Sequence, residues 1–486
     1  MLKKIFSYTR QILKGSGPAS PTFKTITKDV HGINKKAVSE AALETCRVLK
    51  SKGFEAYIVG GAVRDLITHH RPKDFDVVTN ATPEQIKRAM RRAIIIGRRF
   101  RLVHVLYGKE TIECSTFRAL NGKGVRKDAA GRVINDNDFG QMWEDAARRD
   151  FTINALFYDP SSETVIDYHD GMADIKRGLV RMIGDPTTRY REDPVRMLRA
   201  VRIASKLGYE IEKETLAPIA NLSPLIRNVP QARLFDEALK LLTCGHSMAC
   251  MEALREAKLD TYILPALSVA LQYDFGKAFL DFAMRRTDER IQAGKKVSPS
   301  FLFATLLWPS VCRRYRDTID DSSPMKAMTE AGRWVLDKHA EQMEIQSRIT
   351  SDILFIWQMQ VRLCYRGRKT TIDLPHAPKF RASYDFMLLR SLLGFVPEDL
   401  VDWWKRFQES SDEARCAMIE EAIYDKTVFE PISLKEAPVI EKPKRQTATK
   451  VTKSAKPTTS KPKPRRRPRT SPASRSKSAS AQKARP

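Results

Sequence analysis

The stretch Tyr57-Ile-Val-Gly-Gly-Ala-Val-Arg-Asp-Leu66, followed by Asp74-Phe-Asp-Val-Val78, decides the fold of this chain. An apolar run that reaches Gly60-Gly61 predicts a strand and a turn at which the backbone can approach a triphosphate. Because alternate residues of a strand project from one face, we expect Asp74 and Asp76 to converge. Two carboxylates at this spacing suit Mg2+, which binds one or two of them together with substrate phosphates. The stretch therefore predicts a metal site for nucleotidyl transfer.

A second Asp-x-Asp motif, Asp136-Asn-Asp138, shows that the motif alone is common. No strand pattern surrounds this copy, and we interpret it as a loop. Its neighbours are turn-forming residues: Gly131, Asn135, Asn137 and Gly140. The first Asp-x-Asp, Asp74-Phe-Asp76, differs because the Gly-Gly turn precedes it and the strand-like run 111–118 follows it. That run offers Glu113 as a third carboxylate.

Length and charge indicate a multi-domain protein that binds a polyanion. The chain has 486 residues, of which 42% are hydrophobic, and its formal net charge is +27. From Lys435 to Pro486 there are 17 Lys or Arg and two Glu, a net charge of +15, and the rest of the chain carries +12. Nucleic acid is the natural partner of such a chain, since neutralising phosphates releases counterions and supplies affinity.

The segment from Lys435 to Pro486 is rich in Lys, Arg, Pro, Ser and Thr. Apart from alanines, only three of its residues have side chains that can pack: Val439, Ile440 and Val451. So little apolar surface cannot offset the entropy of ordering, and we expect a disordered tail. Contact with RNA or a protein partner is the favoured role of this tail, and a solubilising role is the alternative.

The seven scattered cysteines form no Cys-x-x-Cys pair, which argues against a zinc site or a disulfide framework and favours reduced thiols in a cytoplasmic protein. No apolar run has the roughly 18 to 20 residues of a transmembrane helix. The first ten residues lack the apolar core of a signal peptide. A short basic helix near the start would permit loose association with an anionic membrane, although a frayed terminus is the favoured interpretation. Its apolar face would consist of Leu2, Ile5, Phe6, Ile12 and Leu13.

Hydrophobic patterning changes along the chain from mixed to helical. Helical spacing begins near Lys36, Thr82 followed by Pro83 predicts a capped helix, and the alternation at 103–107 predicts a strand. Beyond Arg191 the apolar positions follow helical periods almost throughout. This order indicates a mixed α/β part followed by an all-helical part.

Four segments in this order give the chain a family resemblance. They are Val59-Gly-Gly-Ala-Val-Arg-Asp65, Lys73-Asp-Phe-Asp-Val77, Ala147-Arg-Arg-Asp-Phe-Thr-Ile-Asn-Ala155 and Arg191-Glu-Asp-Pro-Val-Arg-Met-Leu-Arg-Ala200. Together they resemble the bacterial class II nucleotidyltransferases, which comprise tRNA CCA-adding enzymes and bacterial poly(A) polymerase I. The resemblance covers about residues 35 to 235. Within the family, Ile96-Gly-Arg-Arg-Phe-Arg-Leu-Val-His-Val105 is similar to the stretch typical of poly(A) polymerase I.

The resemblance implies an α+β fold with five parts. We expect a basic N-terminal extension at 1–30, a mixed α/β nucleotidyltransferase head at 31–175 and a helical neck with the base-reading motif at 176–235. A helical, RNA-binding body at 236–430 and a disordered basic tail at 431–486 complete the chain. Family members are associated with the RNA-decay machinery and an RNA chaperone, and the resemblance implies both as partners.

The segment Arg148-Arg-Asp-Phe-Thr-Ile-Asn154 contains residue types that select a ribonucleotide. Its arginines can meet phosphates, and Asp150 can accept a hydrogen bond from a ribose 2'-hydroxyl. Taken by itself, the segment favours an ordinary salt-bridge cluster at the start of a helix. The resemblance assigns it to the sugar, so that Asp150 also counts among the catalytic carboxylates with Asp74, Asp76 and Glu113. The nucleotide-binding residues implied in the first and third motifs are Gly60, Gly61, Arg64, Asp65, Arg148, Arg149, Asp150 and Asn154, the last of which is alternatively structural.

Asp193 and Arg196 lie three apart at the start of an expected helix and share a face. A carboxylate that accepts from an exocyclic amine, beside a guanidinium that donates to a ring nitrogen, fits adenine and cytosine equally well. Guanine and uracil have the reverse polarity and would leave buried polar groups unpaired. The plain alternative is a surface ion pair. Arg199, one turn later, is a weaker candidate for binding the triphosphate.

These features predict a template-independent RNA nucleotidyltransferase that adds adenylate from ATP to RNA 3' ends with Mg2+ bound by Asp74 and Asp76. The 96–105 resemblance and the basic tail favour polyadenylation. Addition of CCA to tRNA is the second hypothesis, because adenine and cytosine present the same edge. A catalytically inactive RNA-binding adaptor is the third, and the intact carboxylates and arginines argue against it.

Overall fold

The computed structural model describes residues 21–97, 101–120, 126–127, 133–135, 138–264, 270–271, 274–320, 322–341, 343–423 and 429–430. Several expectations lie outside these residues: the basic helix near the N-terminus, the disordered tail at 431–486 and the position of Asp136. No helix in the described part of the chain is both long enough and apolar enough to cross a membrane.

Twelve strands and twenty α-helices are present in the described residues. The strands are β1 (Lys24–Ile26), β2 (Ala56–Val59), β3 (Asp76–Thr79), β4 (Ala93–Ile96), β5 (Leu102–Tyr107), β6 (Glu110–Thr116), β7 (Arg126–Lys127), β8 (Val133–Asn135), β9 (Leu156–Asp159), β10 (Thr164–Asp167), β11 (Leu179–Val180) and β12 (Glu210–Ile211). The first ten helices are α1 (Lys28–His31), α2 (Glu40–Ser51), α3 (Gly61–Ile67), α4 (Pro83–Ala89), α5 (Met142–Arg148), α6 (Gly171–Arg177), α7 (Pro186–Glu192), α8 (Val195–Leu207), α9 (Lys213–Leu216) and α10 (Ile219–Leu222).

The remaining helices build the C-terminal half of the described chain. They are α11 (Gln231–Leu242), α12 (Ser247–Glu256), α13 (Asp260–Ile263), α14 (Asp274–Gln292), α15 (Pro299–Arg316), α16 (Pro324–Ala340), α17 (Ser347–Arg362), α18 (Phe380–Ser391), α19 (Glu398–Glu409) and α20 (Asp412–Glu421). Short 3-10 turns occur at Lys35–Ala37, Thr152–Asn154, Ser223–Asn228, Lys369–Thr371 and Leu374–His376. The expected α+β class, with a mixed head and a mostly helical remainder, is confirmed.

The head is built on an eight-stranded mixed sheet in the order β1-β10-β9-β2-β3-β6-β5-β4. Strands β3 and β6 run parallel at its centre, whereas their neighbours pair antiparallel. Both central strands contain fully buried apolar residues, such as Val77 and Val78 on β3 and Ile112 and Cys114 on β6. Asp76, at the start of β3, therefore lies on a strand that is paired on both sides, with β2 and with β6.

Local sequence signals define the head helices as expected. Thr82 accepts a hydrogen bond from the backbone N–H of Gln85, and the Gln85 side chain accepts one from the N–H of Thr82, which completes a capping box before Pro83. In β5 the alternating residues Val103 and Val105 are buried, which confirms the strand predicted there.

The helical part is held by large buried side chains. Helices α15, α16 and α17 pack on one another, and α18 packs on α17. Within this part the indole N–H of Trp357 donates to the carbonyl of Ala304 at 3.1 Å, and that of Trp404 donates to the carbonyl of Leu363 at 2.7 Å. Because these buried indoles are satisfied by backbone oxygens, the helical part forms a well-packed core rather than a loose extension.

The structure adds to the expected local structure at three places. The head sheet includes residues before 31, because β1 pairs antiparallel with β10 and α1 follows it. The expected helical neck also contains a small parallel pair, β11 and β12. A short strand, β8, ends at Asn135 directly before the second Asp-x-Asp and pairs with β7. In each case two or three residues pair through backbone hydrogen bonds, which apolar periodicity does not reveal.

Candidate active site

The Gly-Gly turn joins β2 directly to α3. Gly60 is the N-cap of α3 and has φ of 80° and ψ of −140°, a backbone conformation that residues with a Cβ rarely adopt. Val59 at the end of β2 pairs with Asp76 at the start of β3. The Gly-Gly turn and Asp76 are therefore neighbours, as the spacing predicted.

The carboxylates lie in a row across the centre of the sheet. Asp76 is opposite Glu113 on β6, and Glu113 is opposite His104 on β5. Residues directly opposite one another project from the same face, and the His104 Nε2 atom is 3.7 Å from a Glu113 carboxylate oxygen. Asp74 lies two residues before β3 rather than on it, which corrects the expectation that both aspartates are strand-borne.

Negative charge is concentrated at this row. The Asp76 side chain reaches solvent, yet partial desolvation by the surrounding protein, followed by the negative charge of Glu113, raises the pKa of Asp76 to about 6. Asp74 acts in the same direction, whereas Arg149 and Arg199 oppose it. Within the described residues neither Asp74 nor Asp76 has a hydrogen-bond or ion-pair partner. The pair is therefore a cluster of unneutralised carboxylates, which a cation would stabilise.

The donor set fits Mg2+ only together with a ligand. In the described part of the chain no three His, Cys, Asp or Glu side chains are placed to hold a metal ion on their own. Two carboxylates are nevertheless what Mg2+ takes from a protein when phosphate oxygens and water supply its other ligands. Asp74 and Asp76 therefore suit a metal that arrives with a polyphosphate, and Glu113 lies beside them as the third carboxylate.

A cluster of arginines lies close to these carboxylates. Burial, followed by the positive charges of Arg118, Arg189 and Arg196, lowers the pKa of Arg148 to about 10. Arg189 donates hydrogen bonds to the backbone carbonyls of Arg148 and Arg149 at 2.6 and 2.8 Å, which joins α7 to the end of α5. Like charges in such proximity repel one another, and a bound polyanion relieves the repulsion. The cluster therefore fits a triphosphate.

Asp150 is buried, and its carboxylate accepts three hydrogen bonds. Its Oδ1 atom accepts from the Phe151 N–H at 2.8 Å and from the Asn154 amide at 3.2 Å, and its Oδ2 atom accepts from Arg199 Nε at 2.7 Å and forms an ion pair with Arg199 Nη2 at 2.5 Å. Burial raises the pKa of Asp150, but Arg199 and the other donors outweigh this effect and hold it well below its usual range. Its expected contact with a ribose hydroxyl stays a prediction, and its acceptor positions are engaged within the protein.

Three further residues of the implied nucleotide set bind one another, and Lys206 joins them. Arg64 donates to Asp65 Oδ1 through Nε and Nη2 at 2.9 and 2.6 Å, and to Asn154 Oδ1 through Nη1 at 2.6 Å. Lys206 donates to the other Asp65 oxygen at 3.0 Å. Arg64, Asp65 and Asn154 are at most 6% exposed. Their roles in nucleotide binding stay predictions. The hydrogen bonds show that they belong to a buried polar network.

Asp193 and Arg196 do not form the surface ion pair considered above. Asp193 caps the end of α7 and receives both guanidinium Nη atoms of Arg233, on α11, at 2.8 Å. Arg196 donates to the carbonyl of Arg189 at 2.8 Å and to Glu192 at 3.3 Å. Each member of the expected base-reading pair is thus held by a different neighbour, which fixes both side chains before any ligand binds.

Sequence reasoning missed four residues of this region: Arg118, Arg189, Lys206 and Arg233. Each is a single basic residue outside the core of a motif, in a chain that contains 85 Lys and Arg. Only Arg189, two positions before the fourth motif, carried a local signal.

Three family models match the chain. They are described as the poly A polymerase head domain, which matches residues 56–181, the probable RNA- and SrmB-binding site of polymerase A, at 208–271, and the polymerase A arginine-rich C-terminus, at 320–450.

Curated relatives and solved structures agree with these matches. Poly(A) polymerase I of Salmonella typhi is 39% identical over 87% of this chain and 95% of its own length, and that of Haemophilus influenzae is 40% identical over 80% and 89%. The CCA-adding enzyme of Lactobacillus helveticus is 36% identical over 45% of this chain and 54% of its own. The crystal structure of the Bacillus stearothermophilus CCA-adding enzyme in complex with CTP has the same fold, with a TM-score of 0.51 and 21% identity over 80% of this chain and 94% of that one.

The expected family is thus confirmed over most of the chain by the poly(A) polymerase I relatives, whereas the match to the CCA-adding enzyme of Lactobacillus helveticus covers less than half of this chain. The chain belongs to the poly(A) polymerase I family of nucleotidyltransferases.

Proposed function

We propose that this protein is a template-independent polynucleotide adenylyltransferase that transfers AMP from ATP to RNA 3' ends. One observation supports the proposal above all others. A row of unneutralised carboxylates, in which burial and Glu113 raise the pKa of Asp76, lies beside a cluster of mutually repelling arginines around Arg148. A magnesium nucleoside triphosphate neutralises both charges at once.

In this proposal the carboxylates and the arginines have separate tasks. Asp74 and Asp76 would hold Mg2+, with Glu113 as the third carboxylate, and Mg2+ would supply activation of the attacking 3'-hydroxyl and stabilisation of the pyrophosphate. Arg148 and Arg149 bind phosphate oxygens and orient the α-phosphate for in-line attack. The turn at Gly60-Gly61 leaves backbone free to approach the triphosphate.

Selection of the base falls to Asp193 and Arg196. Asp193 accepts from the exocyclic amine and Arg196 donates to the neighbouring ring nitrogen. Arg233 holds the Asp193 carboxylate by two hydrogen bonds of 2.8 Å, so the acceptor is oriented by the protein before a nucleotide arrives. Guanine and uracil leave these groups unpaired and are rejected.

Addition of CCA to tRNA is the second candidate, because the same two side chains accept cytosine and because CCA-adding enzymes share this fold. The test is to incubate the purified protein with a generic single-stranded RNA, or with a tRNA that lacks its terminal CCA, and each labelled nucleotide in turn. We expect repeated AMP addition to both RNAs and little use of the other nucleotides. Ordered addition of two C and one A to the tRNA alone identifies a CCA-adding enzyme. No incorporation of any nucleotide identifies an inactive adaptor.

Deletion of the basic tail separates RNA binding from chemistry. Removal of Ala437–Pro486 takes away the whole +15 charge, since Lys435 and Glu436 cancel each other, and few apolar residues. We expect weaker binding to single-stranded RNA and a shallower salt dependence, since each phosphate no longer neutralised removes about 0.7 from the slope of log affinity against log salt. Turnover at saturating RNA and the melting temperature should change little. Equal salt slopes for the full-length and truncated proteins would contradict an ionic contact between tail and RNA.

Two finer assignments are also proposals. The family resemblance supports contact with the RNA-decay machinery and an RNA chaperone, and the match at 208–271 to a model described as a probable RNA- and SrmB-binding site supports a partner surface in this part of the chain. The pattern at residues 2–13 supports a loose membrane contact in an otherwise cytoplasmic protein. Flotation of the full chain and of a form that lacks residues 1–20 with anionic vesicles tests the second assignment.

A further inference from the structure

Six polar residues form a closed circuit between the head and α8. From α8, Lys206 binds Asp65, Asp65 binds Arg64, and Arg64 binds Asn154. Asn154 binds Asp150, and Asp150 binds Arg199, which returns the circuit to α8. Every link is 3.2 Å or shorter. The charges alternate along the circuit, so each carboxylate lies between cationic or amide donors.

The head members of this circuit are buried, whereas its two ends on α8 are partly open. The side chains of Asp65 and Asp150 are 5% and 9% exposed, and those of Lys206 and Arg199 are 34% and 32% exposed. Removing one partner from a buried ionic network leaves an uncompensated charge, which is costly. Asp150 therefore depends on Arg199, whereas Asp65 shares its charge between Arg64 and Lys206.

The spacing of the two cations fixes the orientation of the helix. Arg199 and Lys206 are seven residues apart, which is about two helical turns or roughly 10 Å along one face of α8. A helix fastened at one point can still pivot, whereas a helix fastened at two points cannot. Arg202 lies between them on the same side of the helix, with its Nε atom 3.9 Å from Glu237 on α11. This side of α8 thus carries charged contacts both to the head and to α11.

Helix α8 also carries or adjoins the base-reading residues. Arg196 is its second residue, one turn before Arg199, and Asp193 immediately precedes Pro194 at its N-cap. The carboxylates of the expected metal site belong to the head sheet. Any tilt of α8 against the head therefore changes the distance between the position that reads the base and the position where the α-phosphate reacts.

We propose that Lys206 is a positioning residue for nucleotide selection. By holding Asp65, it provides the second fastening of α8 to the head and keeps Asp193 and Arg196 at a fixed distance from the metal-binding carboxylates. This inference rests on the proposed adenylyltransferase function and adds a residue outside the motifs that touch the nucleotide. Lys206 itself contacts no substrate in this scheme.

The test compares Lys206→Met with Lys206→Arg and with a matched control, Lys50→Met, in the full chain. Lys50 joins α2 to Asp159 at the end of β9, with side chains 25% and 17% exposed, so the control loses a similar ion pair within the head alone. The measurements are kcat and KM for ATP and for GTP on one single-stranded RNA, with the melting temperature and RNA affinity of each variant.

We expect Lys206→Met to lower kcat/KM for ATP by about 10- to 100-fold, the loss that a misplacement of about 1 Å produces. The ratio of kcat/KM for ATP to that for GTP should fall with it, because rejection of the wrong base requires rigidly placed polar groups. Lys206→Arg should restore most of this ratio. Lys50→Met should lower the melting temperature comparably and leave the ratio unchanged.

Two results overturn the inference. One is an unchanged ATP-to-GTP ratio in Lys206→Met, and the other is an equal loss of the ratio in Lys50→Met, which would indicate general destabilisation. If Lys206→Met does not fold, Lys206→Gln is measured instead. If neither variant folds, the circuit is required for folding, and the positioning role of Lys206 is overturned as well. A wild-type protein that adds no AMP refutes the proposed function itself, and this outcome is distinct from an active wild type with an indifferent Lys206.

Discussion

Replacement of Asp76 by Asn is expected to reduce AMP transfer by about 1,000-fold or more, because the loss of a metal-binding carboxylate removes several kcal/mol of transition-state stabilisation. The stability of the folded protein should not decrease. Burial and Glu113 raise the pKa of Asp76 to about 6, so at pH 7.5 its ionised form is less favourable in the folded than in the unfolded protein. An uncharged amide removes this penalty, and the melting temperature should stay equal or rise.

The same assay includes Asp74→Asn, which we expect to be equally inactive, and Asp136→Asn in the other Asp-x-Asp motif as the control. RNA affinity and melting temperature are measured beside turnover at matched Mg2+. Activity close to wild type in either active-site variant would show that the assignment of the metal ligands is wrong. Loss of activity in Asp136→Asn would show that the assay responds to any lost carboxylate.

The second large effect is expected at the base-reading pair. Asp193→Ala removes the acceptor that Arg233 holds by two hydrogen bonds of 2.8 Å, and Arg196→Ala removes a donor fixed by the carbonyl of Arg189. Sites that recognise a polar edge reject mismatches by about 10,000-fold or more, because mismatched groups stay unpaired. Each variant should therefore lose kcat/KM for ATP by at least about 100-fold while its use of GTP and UTP changes much less.

Asp185→Ala is a matched control on the neighbouring helix. Asp185 caps α7 and accepts a hydrogen bond from the Thr188 N–H at 2.7 Å, so its loss should cost about 1 kcal/mol of stability without altering nucleotide preference. The measurement is the set of kcat/KM values for the four nucleotides. An unchanged preference in both Asp193→Ala and Arg196→Ala would exclude them from base recognition.

Sequence alone predicted that the Gly-Gly turn and Asp76 lie together, as they do, because the signals for this arrangement are local. The Gly-Gly turn, the Asp-x-Asp spacing and the Thr82 cap each lie within a few residues, and short-range geometry fixes them. The expectation that Asp74 lies on the strand was wrong, because the register of strand pairing, not the motif, decides that β3 starts at Asp76.

Lys206 and Arg233, which contact residues of the candidate site, could not be predicted from the sequence because their contacts are long-range. Lys206 reaches Asp65 across 141 positions of sequence, and Arg233 reaches Asp193 across 40. A lone Lys or Arg has no signature among 85 such residues. Periodicity placed both on helices, but only the packing of α8 and α11 shows which carboxylates they meet. Tertiary contacts of this kind cannot be inferred from one sequence.

The circuit through α8 also has a practical bearing on dissecting the protein into fragments. A head fragment that stops at residue 175, where the sequence pattern suggests a boundary, omits Lys206 and Arg199 and leaves Asp65 and Asp150 as buried carboxylates that have lost these cations. The smallest fragment that preserves these pairings extends beyond α8, and one that also retains Arg233 must include α11. Expression trials, crystallisation and inhibitor screens on this enzyme should therefore start from a shortest fragment that ends after Leu242.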